Sequence, residues 1–555
     1  NPIPLLPCLW YDCGEMTPVV RHAYMDAVTE LVARNYNGQV FSWCEERGIL
    51  YIGHVIEDEN AHTRLGSGAG HYFRVTEGQH MAGIDVVGGQ IWPGLDVEGM
   101  SWYGAVDGDG EFYHYGLVKL ASSAAHIDPK KRGRSVCELL ALYGNIAGTK
   151  IRKFVIDHLL ASGINHFIPA QAGLEAGLRC SRMLNAYTDR MCHVLQDGIH
   201  VAPAAILYHA DAEWSGDFQY FHKPGKVLTA IQIDWDVIPK DVFIRREDYG
   251  TCLQGGKLKI NRETYDVLVI PYSRRIPRAV AEFIAEARRA DLPVYFVDRH
   301  PEGCCEDNGP LPPHVRDCPA VPLDELADEL RGNGLFEIRT ADAQPRLRYL
   351  HIRRGEIDLY LFHNEEPRDE IETTVTVPTA KRAWIYDAME NLLLIPEVSV
   401  KDGFTEIPLR LGQYESVLYV FGDGWGEAVP FFNLREQDLE TEWRIVFEPL
   451  DGMPAPEPVV SEKLFDVGAR DRHPHFYGKI IYRTAFQAGH PLPSMLSLGR
   501  VAESAEVYVN GTFVGAAVAE PYRFRLGDAV QAGINHLEVV VTNNMTRSAD
   551  ARYND

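Results

Sequence analysis

The sequence lacks the features that mark several common protein classes. Its ten cysteines are scattered, none lies beyond Cys318, and no Cys-x-x-Cys pair occurs, which excludes a zinc knuckle or a dithiol redox motif. Such sparse thiols in a chain of 555 residues predict reduced, mostly buried cysteines in a cytoplasmic protein. No apolar run approaches the roughly 18–20 residues that a membrane-spanning helix needs. A membrane protein is therefore not expected.

An excess of basic charge is also missing. The formal net charge is −24, with 54 Lys and Arg against 78 Asp and Glu, which argues against a nucleic-acid partner and an anionic membrane surface. The chain starts at Asn1-Pro-Ile-Pro, without an initiator Met or the charged n-region of a signal peptide. We expect a mature or shortened start, so a periplasmic or secreted location stays open, as does a homo-oligomer.

The changes of pattern along the chain predict several domains, since single cores stop growing beyond about 250–300 residues. The predicted fold class is multidomain α/β plus all-β. A partial β/α (TIM-type) barrel over 1–200 precedes a small doubly wound α/β domain over 201–335 and two β-sandwiches over 336–425 and 426–555. In the last sandwich, Asn510-Gly511 between alternating apolar residues predicts a type I′ hairpin turn.

Residues 1–200 alternate helical and strand patterns. A helical period runs through 17–47, and later helices are expected over 111–126, 150–161 and 178–196. Four apolar runs predict strands: 49–56, 81–87, the run that contains Glu138, and 164–169. These are four β/α units, half of a barrel. We expect the other half to lie outside this sequence. The strand predicted over 536–542, near the end of the chain, also has no closing neighbour.

The second α/β domain lacks a Gly-x-Gly-x-x-Gly fingerprint, so nucleotide binding is not supported. Cys252 lies in Gly-Thr-Cys-Leu-Gln-Gly-Gly, which does not match the nucleophile turn of an amidotransferase. We expect a structural role for this domain. Thiol chemistry at Cys252 is the weaker alternative.

Glu138, in Arg134-Ser-Val-Cys-Glu-Leu-Leu, is the first candidate catalytic residue. Polar groups at the carboxyl ends of parallel strands build the active site of a β/α barrel. Hydrolysis of a glycosidic bond needs two carboxyl groups, one to protonate the leaving oxygen and one to activate water or attack carbon. The alternative for Glu138 is a structural ion pair with Arg134 or Lys119.

The second carboxyl is expected in the run His54-Val-Ile-Glu-Asp-Glu-Asn-Ala-His, which directly follows an apolar strand. Glu57 and Glu59 point the same way if the strand continues. A charged, solvated loop is the alternative. The histidines of this region match no His-Glu-x-x-His signature, so zinc catalysis is not expected, and Ca²⁺ is the more plausible structural ion. No cofactor is required for the chemistry.

Polar and aromatic residues near these strand ends suit a saccharide cleft. Sugar C–H faces pack on aromatic rings, and sugar hydroxyls need hydrogen-bond partners. The predicted substrate-binding residues are His54, Asp58, His62, Asp85, Gln90, Trp92, Asn165, His166 and Gln171.

Several of these segments resemble glycoside hydrolase family 106. The resemblance rests on Arg134-Ser-Val-Cys-Glu, Lys153-Phe-Val-Ile-Asp, Gly163-Ile-Asn-His and Tyr187-Thr-Asp-Arg-Met-Cys-His-Val-Leu-Gln-Asp-Gly. It implies an inverting, calcium-dependent α-L-rhamnosidase in which Glu138 is the catalytic glutamate. Leu139 and Leu140 follow Glu138 where the family tends to have an aromatic residue and a threonine.

Two further resemblances concern the accessory domains. The last sandwich, with Val507-Tyr-Val-Asn-Gly, is similar to galactose-binding-like domains of large glycosidases. The middle domains are similar to those of family 42 β-galactosidases. Together they imply a glycoside hydrolase that cleaves terminal sugars, with a β-galactosidase-like barrel enzyme or a non-catalytic carbohydrate-binding protein as the alternatives.

Overall fold

The computed structural model describes most of the chain. The described residues are 3–54, 59–64, 68–99, 108–143, 147–170, 177–423, 429–430, 438–450, 454–490, 492–493 and 495–543. Parallel α/β sheets occupy the first part and antiparallel sheets the second, which confirms the predicted fold class. Within these ranges, no helix is both long and apolar enough to cross a membrane.

The first unit is a four-stranded parallel sheet with helices packed on it. Its strands, adjacent in chain order, are β1 (Ile52–Gly53), β2 (Met81–Val87), β3 (Ser135–Ala141) and β4 (His166–Pro169). Its helices are α1 (Met16–Val32), α2 (Gly38–Glu45), α3 (Tyr72–Val75), α4 (Val118–Ile127), α5 (Thr149–Ala161) and α6 (Gly177–Leu195). Parallel strands joined by helices are the repeating unit of a β/α barrel.

Two elements of this unit differ from the predictions. The buried strand expected over 49–56 is the short strand β1, and Ile49 and Leu50 are 48% and 54% exposed. The strand β1 lies at the edge of the described sheet, with β2 as its neighbour, so its apolar run is not enclosed on both sides. The helix expected over 17–47 is divided by a π-helical turn, Ala33–Asn37.

The second unit is a five-stranded parallel sheet. In spatial order its strands are β15 (Ala320–Val321), β13 (Val294–Val297), β11 (Val267–Ile270), β6 (Ala204–Leu207) and β7 (Trp235–Ile238). Its helices are α7 (Ala210–Ser215), α8 (His222–Thr229), α9 (Asp241–Ile244), α10 (Arg246–Tyr249), α11 (Arg278–Arg289), α12 (Pro313–Arg316) and α13 (Leu326–Gly332). The strand order reverses between β6 and β11, as in a doubly wound fold.

Two small sheets accompany this unit. One is antiparallel and contains β8 (Cys252–Gln254), β9 (Lys257–Ile260) and β10 (Glu263–Tyr265). The other pairs β12 (Arg275–Ile276) with β14 (Gly303–Cys304). Cys252 is exposed on β8, and all ten cysteines are free thiols, most of them buried.

The third unit packs two sheets face to face, and their strands are antiparallel except for one parallel pair in the larger sheet. The smaller contains β16 (Arg339–Thr340), β19 (Ile371–Val377), β23 (Phe404–Leu411) and β22 (Ser399–Lys401). The larger contains β25 (Val429–Pro430), β21 (Leu392–Ile395), β20 (Ala383–Asp387), β24 (Ser416–Phe421), β18 (Ile357–Asn364), β17 (Leu347–Arg354) and β5 (Ile199–His200). The strand β5, which directly follows the first unit in the chain, therefore pairs with a strand of the third.

The fourth unit is also antiparallel. Its main sheet contains β27 (Val459–Ser461), β26 (Trp443–Pro449), β28 (Gly478–Ala488), β33 (Gly533–Thr542), β30 (Ser504–Val509) and β31 (Thr512–Ala517). The strands β29 (Met495–Ser497) and β32 (Arg523–Arg525) form a second small sheet. Asn510 and Gly511 join β30 to β31 with positive φ angles of 52° and 79°, which confirms the predicted hairpin turn.

A glutamate of the fourth unit caps a helix of the first. Glu503 Oε2 accepts hydrogen bonds from the Lys150 backbone N–H (3.3 Å) and the Thr149 hydroxyl (3.4 Å) at the start of α5. The residue before α5 is Gly148, which has no side chain to bind these donors. The C-terminal sandwich thus satisfies donors that α5 cannot satisfy itself.

The burial of Glu503 makes the stability pH-dependent. Burial raises the pKa of Glu503 to about 7, above the ordinary value for Glu, although Lys150 opposes the shift. The folded chain therefore binds this proton more tightly than the unfolded chain. The resulting stability is present below about pH 4.5 and is lost as the pH rises through 7, by about 3 kcal/mol. We expect Glu503→Gln to reduce the pH dependence of the free energy of unfolding, measured with urea between pH 5 and 8. An unchanged pH slope in the variant would contradict this assignment.

Candidate functional site

Two carboxylates lie side by side on one face of the four-stranded sheet. Asp85 on β2 and Glu138 on β3 are register partners, and paired residues of parallel strands about 4.8 Å apart project from the same face. Their chain neighbours Ile84, Val86 and Cys137 project to the opposite face and are fully buried. The face that carries Asp85 and Glu138 is therefore the polar one.

His54 completes this group from the end of β1. Its Nε2 lies 3.1 Å from Glu138 Oε2, and the two side chains are 31% and 36% exposed. A glycine on the intervening strand permits this approach, because a Cβ at Gly83 would come within 2.1 Å of the Gly53 carbonyl oxygen. Solvent, and hence a substrate, can reach the His54–Glu138 pair.

The backbone just beyond Glu138 adopts a rare conformation. Leu140 and Leu142 have φ angles of 65° and 56°, a left-handed region that costs a non-glycine residue of order 1 kcal/mol. The register between β2 and β3 shifts at this point, and the Gly88 N–H donates to the Ala141 carbonyl. Such strain persists only where the surroundings hold it, and it concentrates at functional sites.

Hydrogen bonds and ring stacking connect the loop after β2 to the loop after β3. The Tyr143 hydroxyl accepts from the Ile91 N–H (3.1 Å) and donates to the Ile91 carbonyl (3.0 Å). The Trp92 ring stacks on Tyr143 with centroids 6.4 Å apart, and Gln90 Oε1 accepts from the Val87 N–H. These contacts fix Trp92 next to the strand ends, whereas Gln90, which is 5% exposed, serves the turn itself.

His62 does not join this group, contrary to the prediction. It is 2% exposed, and its Nε2 lies 2.7 Å from the Tyr208 hydroxyl of the second unit. Burial lowers the pKa of His62 to about 4, so the ring is neutral at pH 7. Its backbone N–H donates to the carbonyl of Glu59, which places Glu59 in the turn before it. His62 is a core residue between two units.

Asn165 lies at the other edge of the sheet. The strand β4 begins after it, its Oδ1 accepts from the Ser135 N–H (3.2 Å), and its Nδ2 donates to the Gly133 carbonyl (2.8 Å). The predicted strand over 164–169 includes Asn165, whereas the structure places this residue just before the strand, where it is 6% exposed. A sugar at Glu138 cannot use this amide.

His166 projects from the same face of the sheet as Glu138 but lies two residues before the position that pairs with Glu138. It pairs with Val136, whereas Ile168 pairs with Glu138, and its Nδ1 lies 2.8 Å from Asn165 Oδ1. Three further predicted site residues, Glu57, Asp58 and Gln171, lie outside the described residues.

Asp85, a predicted substrate-binding residue, is the neighbour of Glu138 in the sheet, which the sequence does not predict. The signal was present, because Asp85 is the one charged residue in the apolar run Met81–Val87. Among the described residues, the His, Cys, Asp and Glu group that could hold a metal contains His126, His200 and Asp236. It lies on α4, β5 and β7, apart from Glu138.

Comparison with solved structures shows what this architecture is similar to. A rhamnosidase from Novosphingobium sp. PP1Y superposes with a TM-score of 0.68 at 18% identity, over 96% of this chain and 53% of that protein. The chain shares the fold of that protein. It spans about half the length of that rhamnosidase.

Two further solved structures are similar to part of the chain. A β-galactosidase from Rahnella sp. R3 has a TM-score of 0.47 at 11% identity, over 74% of this chain and 69% of that one. An exo-carrageenase from Bacteroides ovatus has a TM-score of 0.43 at 11% identity, over 66% and 51%. No family model matches the chain, and no curated protein matches it.

Proposed function

We propose that the chain is a glycoside hydrolase that removes terminal sugars from oligosaccharides or glycosides. The supporting observation is the Asp85–Glu138 carboxylate pair on the polar face of a parallel sheet, within a glycoside hydrolase fold. Two carboxyl groups are the minimum for acid/base cleavage of a glycosidic bond. No cofactor is needed for this chemistry.

Each residue of the group has a proposed role. Glu138 is the catalytic carboxyl that faces the scissile bond, and Asp85 is the second carboxyl. His54 positions Glu138 through the contact at 3.1 Å, so that one carboxylate oxygen is held and the other is directed to substrate. Trp92 offers a ring for the apolar face of a sugar. Glu57 and Glu59 are the alternatives to Asp85.

Terminal α-L-rhamnosides are the proposed substrate class. The family 106 resemblance around Glu138 and the superposition on the Novosphingobium rhamnosidase support this choice. Ca²⁺ belongs to the same proposal, since Glu57, Asp58 and Glu59 offer the carboxylate oxygens that this ion prefers. Exhaustive dialysis against EGTA is then expected to lower activity, and added Ca²⁺ is expected to restore it.

A panel of nitrophenyl glycosides tests the proposal. It is applied to the 555-residue chain and to the longest natural chain that contains it. We expect release of nitrophenol from the α-L-rhamnoside, and release from the β-galactoside alone would instead favour a β-galactosidase-like enzyme. Saccharide binding by calorimetry with no product from any glycoside would overturn the enzymatic assignment in favour of a carbohydrate-binding protein.

A further inference from the structure

A buried cluster of histidine and acidic side chains lies where the first three units meet. His126 ends α4, His200 lies on β5, and Asp236 lies on β7. Their exposed fractions are 4%, 2% and 0%, and one potential ligand atom from each lies within 4.8 Å of the others. The first unit, the second unit and the sheet of the third each contribute one residue.

The ligand atoms already converge on Asp236. His126 Nδ1 lies 2.9 Å from Asp236 Oδ1, and His200 Nδ1 lies 3.0 Å from Asp236 Oδ2. In a tetrahedral zinc site with bonds of about 2.0–2.1 Å, neighbouring donor atoms are about 3.3 Å apart. An ion therefore needs shifts of well under an ångström at these two contacts.

The surrounding hydrogen bonds are those of an outer shell around a metal. His200 Nε2 lies 2.7 Å from Asp234 Oδ2, which fixes the ring and leaves Nδ1 for an ion. Lys119 donates to the other oxygen of Asp234 (2.6 Å). Metal-binding histidines typically give their second ring nitrogen to a carboxylate in this way.

Glu263 is the fourth candidate ligand. It lies on β10 two residues before Tyr265, so both side chains project from the same face, and the Tyr265 hydroxyl donates to Asp236 Oδ2 (2.9 Å). Glu263 is 1% exposed, and neither carboxylate oxygen has a hydrogen-bond partner of ordinary geometry. A buried carboxyl without such partners is costly, and buried polar groups are almost always satisfied.

The charge of the cluster is compatible with a dication once both histidines are neutral. Asp234, Asp236 and Glu263 bring three carboxylates into one buried region, and Lys119 supplies one positive charge. A dication neutralises the other two with both histidines uncharged, the form in which imidazole binds metals. Two imidazoles and two carboxylates suit Zn²⁺, whereas Ca²⁺ prefers an all-oxygen shell.

We propose that His126, His200, Asp236 and Glu263 form a structural Zn²⁺ site that holds the first three units together. The ion lies apart from Glu138 and takes no part in glycoside cleavage. It bridges segments that are distant in the sequence, so it stabilises the folded chain by binding that state alone.

Metal analysis and thermal denaturation test the site. The chain is purified without chelators or metal-affinity steps, and mass spectrometry of metals is expected to find one zinc per chain. Removal of zinc with phenanthroline is expected to lower Tm by about 5 °C or more, and Zn²⁺ alone is expected to restore it. A chain without zinc whose Tm does not respond to added Zn²⁺ overturns the proposal.

Glu263→Gln gives the sharpest contrast, because the two interpretations predict opposite signs. With a metal, the variant loses zinc and its Tm falls. Without a metal, an amide in place of a carboxyl that lacks partners leaves Tm unchanged or raises it. His300→Gln, which changes a histidine elsewhere in the second unit, is the control and keeps its zinc. Equal zinc in Glu263→Gln and the parent would identify an adventitious surface ion and overturn the site.

Discussion

Glu138→Gln is expected to lower kcat on the preferred nitrophenyl glycoside by at least about 10²–10⁴-fold, the range of general acid–base catalysis. The amide keeps the size and shape of the side chain but cannot transfer a proton or form a glycosyl bond. Because the Glu138 side chain is 36% exposed, the change should leave Tm within about 1 °C. The measurement is steady-state kinetics together with a melting curve.

The matched control is Glu370→Gln, another exposed glutamate, which contacts Arg410 on the third unit. It should leave both kcat and Tm unchanged. Asp85→Asn, Glu57→Gln and Glu59→Gln then identify the second carboxyl, since only the true partner of Glu138 should cause a comparable loss. Activity of Glu138→Gln within threefold of the parent would remove Glu138 from the mechanism.

Arg348→Met is expected to reduce the free energy of unfolding by about 3–5 kcal/mol, the cost of breaking a buried ion pair by removing one partner. Arg348 on β17 donates to both oxygens of Glu365 (2.6 and 3.0 Å), and His158 of α5 lies 2.6 Å from the same carboxylate. Arg348 and Glu365 are 4% and 5% exposed, so water cannot replace the lost partner. Urea unfolding measures the change.

Two further variants separate this effect from simple loss of a salt bridge. Arg410→Met breaks the exposed pair with Glu370 and should cost about 0–1 kcal/mol. Arg348→Met combined with Glu365→Leu removes both charges and should recover much of the stability. If Arg348→Met alone is as stable as Arg410→Met, the buried pair contributes little to stability.

The elements that could be predicted from the sequence are those specified by local patterns. The strand β2 coincides with the apolar run 81–87, and α5 begins and ends within a residue of the expected helix. The solvent exposure of Ile49 and Leu50 depends on which strands flank β1, and no local sequence pattern contains that information.

The same distinction applies to the candidate site. Glu138 could be found because a carboxylate interrupts an apolar strand, and Asp85 carries the same signal. Their adjacency is a matter of register between β2 and β3, which the α4 connection sets. The burial of His62 could not be predicted because its partner Tyr208 is far along the chain, and β4 begins after Asn165 rather than at the predicted residue 164.

The strand β5 has a consequence for how such proteins are made and rearranged. Its partner β17 becomes available only after the whole second unit has been synthesised, a delay on the order of ten seconds at typical translation rates. The edge of the third sheet therefore stays open until a segment made much earlier returns to it. Recombination cannot exchange this sandwich as one continuous segment of the gene, because β5 is encoded before the second unit and the other strands are encoded after it.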